Sequence, residues 1–480
     1  MQSRLACDES AGVVLTRFRV DARCDAFSER PGLHCVPILP SKHIRMRPLP
    51  ILLLACLGFA FSISADEKQT ANSGPWKVAE WKEVPAMRWA DQAGPVHSLF
   101  YTSEDYRSHP TEVFAFYASP ATLGKAQAGK KFPAVVLIHG GGGTAFAEWA
   151  WLWARRGYAA IAMDLSGSRP NAPVYDPATG VPVKNQTAKK ETRTRLANGG
   201  PDHGHPEKFD SISGETSDQW PFHAAAAVIR AHSLLRSFPE VDAEHTAVTG
   251  ISWGGYTTCL VASLDDRFKA AVPVYGCGFL HEGESVQKPS IDKLGELRQR
   301  WVDTYDPSAV LPRCRVPILF VNGTNDVHYP LDSYEKSFAA VPGRKQMRIE
   351  VKMSHGHPPG WEPKEIGIFI DSHCLSNGTP LPLPARPEIK GDMFEVQCAS
   401  SAALKKAELI YTTDTGLRSK REWKKVAAKI ALLGNDGSAT LTPRYSITGP
   451  RPPADANTWF VSFTDERDAM VTTDVQFSAP

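Results

Sequence analysis

The chain has 480 residues, of which 42% are hydrophobic and 22% are charged, a globular composition with enough length for roughly two to three domains. The formal net charge is only +2, and the basic excess lies within residues 1–47. This excludes a domain-wide basic surface for nucleic acid and a polybasic tract for membranes, so we expect neither partner.

The N-terminus has the pattern of a secretion signal that begins at Met46. A short cationic segment precedes the apolar run at residues 51–61, and small residues up to Ala65 precede a charged stretch. We expect cleavage after Ala65 and a secreted or periplasmic protein, because the apolar run is shorter than the roughly 20 residues of a spanning helix. A permanent anchor and a lipoprotein site at Cys56 are the weaker alternatives. Residues 1–45 read as an over-extended start or as an N-terminal extension.

The cysteines allow one disulfide expectation. Nine are present, and five remain once the four N-terminal ones are set aside. Exported proteins can form disulfides, and Cys374 with Cys398 is the pair we would test first. No Cys/His cluster has the spacing of a zinc site, so we expect no metal and no cofactor.

Strands and helices alternate through the middle of the chain. Between Trp76 and Lys130, short strand-like runs are separated by polar turns. The unbroken apolar run FPAVVLIHG is then typical of a buried parallel strand, and the helical stretch FAEWAWLWARRG follows it. The same alternation recurs through YAAIAMDLS, HTAVTGIS, AAVPVYGCG, VPILFVNGT and RIEVKMS. It predicts an α/β fold, with a mostly parallel sheet covered by helices on both faces.

Two segments interrupt this alternation. Residues 166–218 are polar, and so long a loop in a compact domain is usually functional or disordered, so we expect it over the sheet's C-terminal edge. The proline-rich stretch SNGTPLPLPARPEIKGD leads into short alternating strands, typical of a small all-β sandwich. We therefore place a catalytic domain at residues 66–380 and a sandwich-like domain at residues 381–480, after the extension and signal at residues 1–65.

The stretch GISWGG places Ser252 between Gly250 and Gly254, directly after a buried strand and before a helical run. A nucleophile on so sharp a strand-to-helix turn needs neighbours without side chains, and the turn lifts its hydroxyl clear of the sheet. A bare GxSxG motif often arises by chance. The strand-turn-helix context favours a nucleophilic serine over an ordinary tight turn.

The run HGGGG ends the first core strand and offers backbone N–H groups that can approach an oxyanion closely. In folds of this kind the oxyanion hole uses the residue after the nucleophile and the loop after the third strand, so we expect the amides of Gly141 and Trp253 to serve. A phosphate loop is disfavoured because no Gly-Lys-Ser/Thr ending follows. Candidate substrate contacts are Gly142, Trp220 and His223, with core packing as the alternative for the last two.

The acid of a serine triad should follow the nucleophile at the end of a late strand. Asp326 has this position, with a helix-capping turn aspartate as the alternative. The base must follow the acid, which leaves His328, His355, His357 and His373. We favour His355, which comes soonest after the last core strand, over His357, which its neighbouring prolines suit to a supporting role. Metal binding by this His-Gly-His pair is weakly supported.

Together HGGGG, GISWGGY, NGTND and SHGHPPGW resemble the serine-dependent α/β-hydrolases. The resemblance is strongest to the exported branch shared by acetyl xylan esterase-like proteins, dienelactone hydrolase-like proteins and the prolyl oligopeptidase catalytic domain. It covers roughly residues 76–375 and implies that Ser252 attacks a carbonyl, His355 takes and returns the proton, and Asp326 orients the imidazole. Dienelactone hydrolases themselves use a cysteine nucleophile, and the serine departs from that pattern.

The expected function is that of an exported serine esterase acting on short acyl groups, with a small-molecule or polysaccharide ester as substrate and acetylated carbohydrate favoured. A prolyl oligopeptidase-like peptidase is the first alternative. Its propeller needs about 40 to 50 residues per blade, and too short a stretch separates Asp66 from the first core strand. The second alternative is a non-catalytic binding protein with the α/β-hydrolase fold, since fold does not determine function.

Overall fold

The computed structural model describes residues 74–125, 129–183, 193–433 and 442–478. The expected signal, its cleavage site and the N-terminal extension lie outside these ranges, so export stays a prediction. Within the described ranges, no helix is both long enough and apolar enough to cross a membrane.

The described residues between 78 and 374 form short strands and helices that alternate along most of this stretch. The strands are β1 (Met87–Asp91), β2 (His97–Thr102), β3 (Glu112–Ala118), β4 (Phe132–Ile138), β5 (Ala159–Met163), β6 (Ser168–Pro170), β7 (Arg193–Arg195), β8 (Val241–Ile251), β9 (Ala270–Val274), β10 (Ile318–Gly323) and β11 (Lys345–Glu350). The helices are α1 (Val78–Trp81), α2 (Ala147–Arg156), α3 (His205–Lys208), α4 (Trp220–Ser237), α5 (Trp253–Leu264), α6 (Lys288–Asp292), α7 (Arg298–Tyr305), α8 (Leu331–Ala340), α9 (His357–Trp361) and α10 (Lys364–Cys374).

The central sheet has the strand order β1-β2-β3-β5-β4-β8-β9-β10-β11. Its first three strands and the β3–β5 pair are antiparallel, and the strands from β5 to β11 run parallel. The carboxyl ends of parallel strands meet at one edge of a sheet. The loops after β4, β8, β10 and β11 therefore converge, and these loops carry the glycine run and the three candidate triad residues.

Helices cover the central strands. Every residue of β5, β9 and β10 is buried, which requires packing on both faces of the sheet. Helices α4 and α5 pack together and against β8, and the Arg156–Asp371 ion pair joins α2 to α10 at 2.6 Å. The predicted α/β fold with a mostly parallel sheet is confirmed.

The C-terminal region is all-β, as predicted. Its strands are β12 (Leu383–Pro384), β13 (Glu388–Lys390), β14 (Met393–Ala399), β15 (Leu404–Thr412), β16 (Lys424–Ala427), β17 (Lys429–Leu433), β18 (Arg444–Pro450), β19 (Thr458–Asp465), β20 (Met470–Thr472) and β21 (Gln476–Phe477). Strands β12, β13, β14, β17 and β18 form a separate sheet. The others extend the central sheet, because β20 pairs with β11 through Met347 and Thr472.

This continuity was not predicted. A strand at the edge of a sheet presents unpaired N–H and C=O groups, and pairing with another strand removes that edge. The C-terminal region therefore completes the central sheet, and the described residues from Gly74 to Ser478 belong to one compact unit.

The expected disulfide is absent from the structure. Cys374 and Cys398 are both buried free thiols, as are Cys259, Cys277 and Cys314. Cys374 ends α10, and Cys398 lies on β14. Burial raises the pKa of both thiols to about 12, which keeps them protonated and unreactive. The pairing of Cys374 with Cys398 was wrong.

Candidate active site

Ser252 lies on a strained turn between β8 and α5. Its φ of 58° falls in the left-handed region, and its amide donates to Val274 O at 2.8 Å. A Cβ on Gly250 would come within 2.2 Å of Gly254 O, and one on Gly254 within 2.1 Å of Ile138 O. Close approach of backbone therefore requires glycine at both positions, and the turn presents the Ser252 hydroxyl at the start of α5.

The His355 imidazole bridges Ser252 and Asp326. Its Nε2 lies 3.0 Å from Ser252 Oγ, and its Nδ1 lies 2.6 Å from Asp326 Oδ2. The other oxygen of this buried carboxylate accepts hydrogen bonds from the amides of His328 and Tyr329 at 2.8 and 2.9 Å. The carboxylate keeps Nδ1 protonated and leaves Nε2 able to accept the serine proton. This arrangement can activate a serine hydroxyl.

Aromatic rings enclose the His355 imidazole, and the sequence had not indicated them as site residues. The Tyr275 ring centroid lies 4.6 Å from that of His355, and the His328 centroid lies 4.7 Å away. The Tyr275 hydroxyl also donates to Ser354 O at 2.6 Å, one residue before the histidine. Because Tyr275 follows β9, the neighbour of β8, its position at the strand end was the available signal. These contacts limit the orientations open to the imidazole.

Two neutral histidines hold the glycine loop through the backbone of Gly140. The Gly140 N–H donates to His357 Nε2 at 2.9 Å. His139 Nδ1 donates to Gly140 O at 2.7 Å, while its Nε2 accepts from Leu165 N at 2.8 Å. Burial lowers the pKa of His139 to about 4 and that of His357 to about 3, so both rings are neutral near pH 7. His357, the alternative base, supports the loop and makes no hydrogen bond to Ser252.

The two residues expected to form an oxyanion hole, Gly141 and Trp253, lie next to each other. Within the described residues, neither Gly141 N nor Trp253 N donates a hydrogen bond, and Trp253 is the first residue of α5, where intrahelical acceptors are missing. A Cβ on Gly141 would come 2.7 Å from Trp253 Cδ1, so the two residues are in contact. A Cβ on Gly142 would meet nothing within 4 Å, so this part of the loop is open. Paired free amides beside a nucleophile can hold a developing oxyanion.

The structure gives Trp220 and His223 packing contacts. The Trp220 ring meets the Trp253 ring edge-on at 5.6 Å, and its Nε1 donates to Leu165 O at 2.7 Å. His223 Nε2 donates to Ser217 O at 2.5 Å, and burial lowers the pKa of His223 to about 4. Trp220 thus supports Trp253, and His223 anchors the end of the insertion. Neither side chain hydrogen-bonds to a triad residue.

Two cations of the insertion lie beside the glycine loop, and the sequence had not indicated either. An Arg193 guanidinium nitrogen donates to Gly143 O at 2.6 Å. Lys208 Nζ lies 4.7 Å from the centre of the Trp253 ring and 5.3 Å from that of Trp220. Neither Arg193 nor Lys208 belongs to a recognisable sequence motif. The folding of the insertion places both cations beside the glycine loop.

The C-terminal region holds the loop that carries Asp326. The Asn325 Nδ2 donates to Arg418 O at 3.0 Å and to Arg421 O at 2.9 Å. Lys352, three residues before His355, pairs with Glu422 at 2.6 Å. The segment 418–422 therefore contacts both the acid loop and the base loop.

Replacing Asn325 with alanine is expected to lower kcat by about tenfold, because small displacements of a catalytic group are costly. The loss of its hydrogen bonds to Arg418 O and Arg421 O should also destabilise the fold by about 1–3 kcal/mol. Gln346→Ala is the matched control, because Gln346 Nε2 donates to Pro382 O at 2.8 Å near the start of β11, at the end of that strand away from the acid loop. It should reduce the melting temperature and leave kcat unchanged. Unchanged kcat in Asn325→Ala would contradict a positioning role.

The candidate site consists of side chains and backbone amides. Among the residues that the structure describes, no group of three or more His, Cys, Asp or Glu side chains is placed to hold a metal ion. The expectation of neither metal nor cofactor stays a prediction.

Residues 120–357 match a family model described as "Dienelactone hydrolase family". The matched stretch begins before β4 and ends at His357, so it includes the glycine run, Ser252, Asp326 and His355. The matched stretch therefore contains the hydrogen-bonded residues Ser252, Asp326 and His355.

Several solved structures are similar to this chain. An acetyl xylan esterase from Paenibacillus sp. R4 has 18% sequence identity and a TM-score of 0.47, with 62% of this chain and 92% of that chain covered. Acetyl xylan esterase 1 from Thermoanaerobacterium sp. JW/SL YS485 has 14% identity and a TM-score of 0.41, with 60% and 90% covered. An acylaminoacyl peptidase from Pyrococcus horikoshii has 18% identity and a TM-score of 0.39, with 55% and 38% covered. At these identities the likeness carries no statement about substrate.

Proposed function

The chain carries a dienelactone hydrolase family domain of the α/β-hydrolase superfamily, and we propose that it hydrolyses carboxylic esters through Ser252, His355 and Asp326. The observation that carries this proposal is the continuous path from Ser252 Oγ through His355 to Asp326, with distances of 3.0 and 2.6 Å. The nucleophile is a serine, which supports general ester hydrolysis over the cysteine-dependent opening of a dienelactone.

Acylation begins when Ser252 Oγ attacks the ester carbonyl and its proton passes to His355 Nε2. Asp326 holds Nδ1–H and stabilises the imidazolium that forms. The amides of Gly141 and Trp253 donate to the new oxyanion. Collapse of this tetrahedral intermediate breaks the bond to the alcohol oxygen, which takes the proton from Nε2 as it leaves.

Deacylation repeats these steps with water as the nucleophile. His355 Nε2 takes a proton from water, and the resulting hydroxide attacks the acyl-serine carbonyl. The same amides hold the second oxyanion. The proton then returns to Ser252 Oγ, the carboxylic acid departs, and the site is regenerated without any other reactant.

We propose short acyl groups, acetyl above all, as the acyl part of the substrate. The Trp253 indole lies against Gly141, and Lys208 lies over the indole ring. Together these side chains fill space beside the proposed oxyanion hole. Long acyl chains therefore have little room on this side of the nucleophile. We propose a carbohydrate as the alcohol part of the ester. This finer part of the proposal rests on the expected export of the chain.

The purified chain is expected to hydrolyse 4-nitrophenyl acetate and to leave alanine 4-nitroanilide intact. Spectrophotometric release of nitrophenol and nitroaniline measures both activities under the same conditions. Acetate release from acetylated xylan would then test the carbohydrate part. Cleavage of the anilide at a rate comparable to that of the ester would support a peptidase, and inactivity on both substrates would contradict the proposal.

A further inference from the structure

Lys208, from the insertion, places a buried ammonium group beside the proposed oxyanion hole. The residue is 8% exposed, and its Nζ donates to His203 O. Its Nζ also lies over the indole faces of Trp253 and Trp220, at 4.7 and 5.3 Å from the ring centres. Aromatic faces attract a cation without neutralising its charge.

No carboxylate compensates this charge directly. Within the part of the chain that the structure describes, Lys208 forms no ion pair. The carboxylate of Asp202 is bonded to the His203 ring at 2.9 Å. Burying an unpaired ammonium costs free energy, and an anion that forms nearby would offset part of that cost.

The ammonium contacts both residues whose amides we assign to the oxyanion hole. A Cβ on Gly141 would lie 3.4 Å from Lys208 Nζ and 2.7 Å from Trp253 Cδ1. A second cation, Arg193, donates to Gly143 O at 2.6 Å. Two cations therefore lie beside the glycine loop.

We propose that Lys208 stabilises the oxyanion of the tetrahedral intermediate through its positive charge, an inference that rests on the ester hydrolysis proposed above. Fixed charges act most strongly on charge that develops in a site shielded from water. The His203 carbonyl and the two indoles hold the ammonium in place beforehand, so no reorganisation is needed when the oxyanion forms. The charge adds to the two amide donors that this fold supplies.

The ionisation of Lys208 makes this role measurable. Burial lowers the pKa of Lys208 to about 8, and the nearby carboxylates of Asp202 and Glu207 oppose that shift. The histidines held against the glycine loop, His139 and His357, are neutral at this pH. The cation is therefore present below about pH 8, and its contribution is lost as the pH rises through that value.

The test compares Lys208→Met and Lys208→Arg with the wild-type chain on 4-nitrophenyl acetate from about pH 6 to pH 9. The wild-type kcat/KM is expected to fall as the pH rises through about 8. Lys208→Met should lose about 10- to 100-fold in kcat/KM at pH 7, less than the loss of a direct donor typically costs, and should lack the alkaline fall. Lys208→Arg keeps a charge that does not titrate in this range, so its alkaline fall should also vanish.

Lys345→Met is the matched control. Lys345 lies over the Phe338 ring at 4.8 Å, and burial lowers its pKa too, but it begins β11 at the opposite end of the strand from the site. Its replacement should leave kcat/KM and the pH profile unchanged. The melting temperature of Lys208→Met should stay equal to or exceed that of the wild type, because the variant no longer buries an unpaired charge. A purely structural lysine would show the reverse, with lower stability and unchanged kcat/KM.

A second substrate pair separates the oxyanion from a carboxylate on the substrate. 4-Acetoxybenzoate and 4-acetoxybenzamide share the same acetyl bond and differ in charge. The proposal expects Lys208→Met to lower kcat on both. If Lys208→Met changes only the KM for the benzoate, Lys208 binds a substrate carboxylate and the proposed role at the oxyanion is wrong. If the variant has an unchanged rate and pH profile, the role of Lys208 is also wrong, but the esterase proposal is unaffected. An inactive wild-type chain would contradict both proposals.

Discussion

Replacing Ser252 with alanine is expected to lower kcat for ester hydrolysis by about 10⁴-fold or more while the fold stays intact. The hydroxyl supplies the atom that forms the acyl-enzyme, so its removal leaves only water attack assisted by the amides of Gly141 and Trp253. Alanine adds no atoms to the turn, and the Ser252 amide can still donate to Val274 O. The measurement is kcat on 4-nitrophenyl acetate, with circular dichroism to verify folding.

Ser263→Ala serves as the matched control for this variant. Ser263 lies on the same helix, α5, and its hydroxyl donates to Cys259 O at 2.7 Å. Its loss should leave kcat unchanged. A fluorophosphonate should label the wild-type chain and the control at Ser252, and Ser252→Ala should remain unlabelled. Full activity in Ser252→Ala would overturn the proposed mechanism.

His355→Ala should lower kcat by about 10⁴-fold, close to the effect of losing the nucleophile, because residues of a triad act as a unit. His357→Ala should lower it by only about tenfold, through displacement of the glycine loop. The difference follows from their contacts. His355 meets Ser252 Oγ at 3.0 Å, whereas His357 accepts from Gly140 N at 2.9 Å.

Glutamine variants distinguish a proton carrier from a hydrogen-bond acceptor. His357→Gln retains an acceptor that can reach the Gly140 amide, so it should recover much of the activity lost in His357→Ala. His355→Gln cannot take up the serine proton and should stay as inactive as His355→Ala. Equal losses from the two alanine variants, or a larger loss from His357→Ala, would show that the assignment of the base is wrong.

The candidate nucleophile and the fold class were predictable because their signals are local. Gly250 and Gly254 lie two residues from Ser252, and the close backbone contacts of a strand-to-helix turn demand them there. The fully apolar strands predicted a parallel sheet covered by helices on both faces, and this prediction is confirmed. The catalytic roles of Ser252, Asp326 and His355 stay predictions until the variants are measured.

The residue pattern alone could not show where the His355 and His357 rings lie in the fold, because only one residue lies between the two histidines. The structure differentiates the two rings through packing. Gly356 precedes α9, so His357 begins a helix and its ring lies under the glycine loop against Gly140 and Gly143. His355 remains in the loop before the helix and reaches Ser252.

By itself, the sequence determined the order of strands and helices, the turn that carries Ser252 and the positions of candidate groups at strand ends, since each depends on neighbours within a few residues. Tertiary structure alone decided the contact of Lys208 with Trp253, the tie between Asn325 and residues 418–421, and the pairing of β20 with β11. Those contacts join segments far apart in the chain. They depend on how whole surfaces pack, and no short pattern of residues encodes that packing.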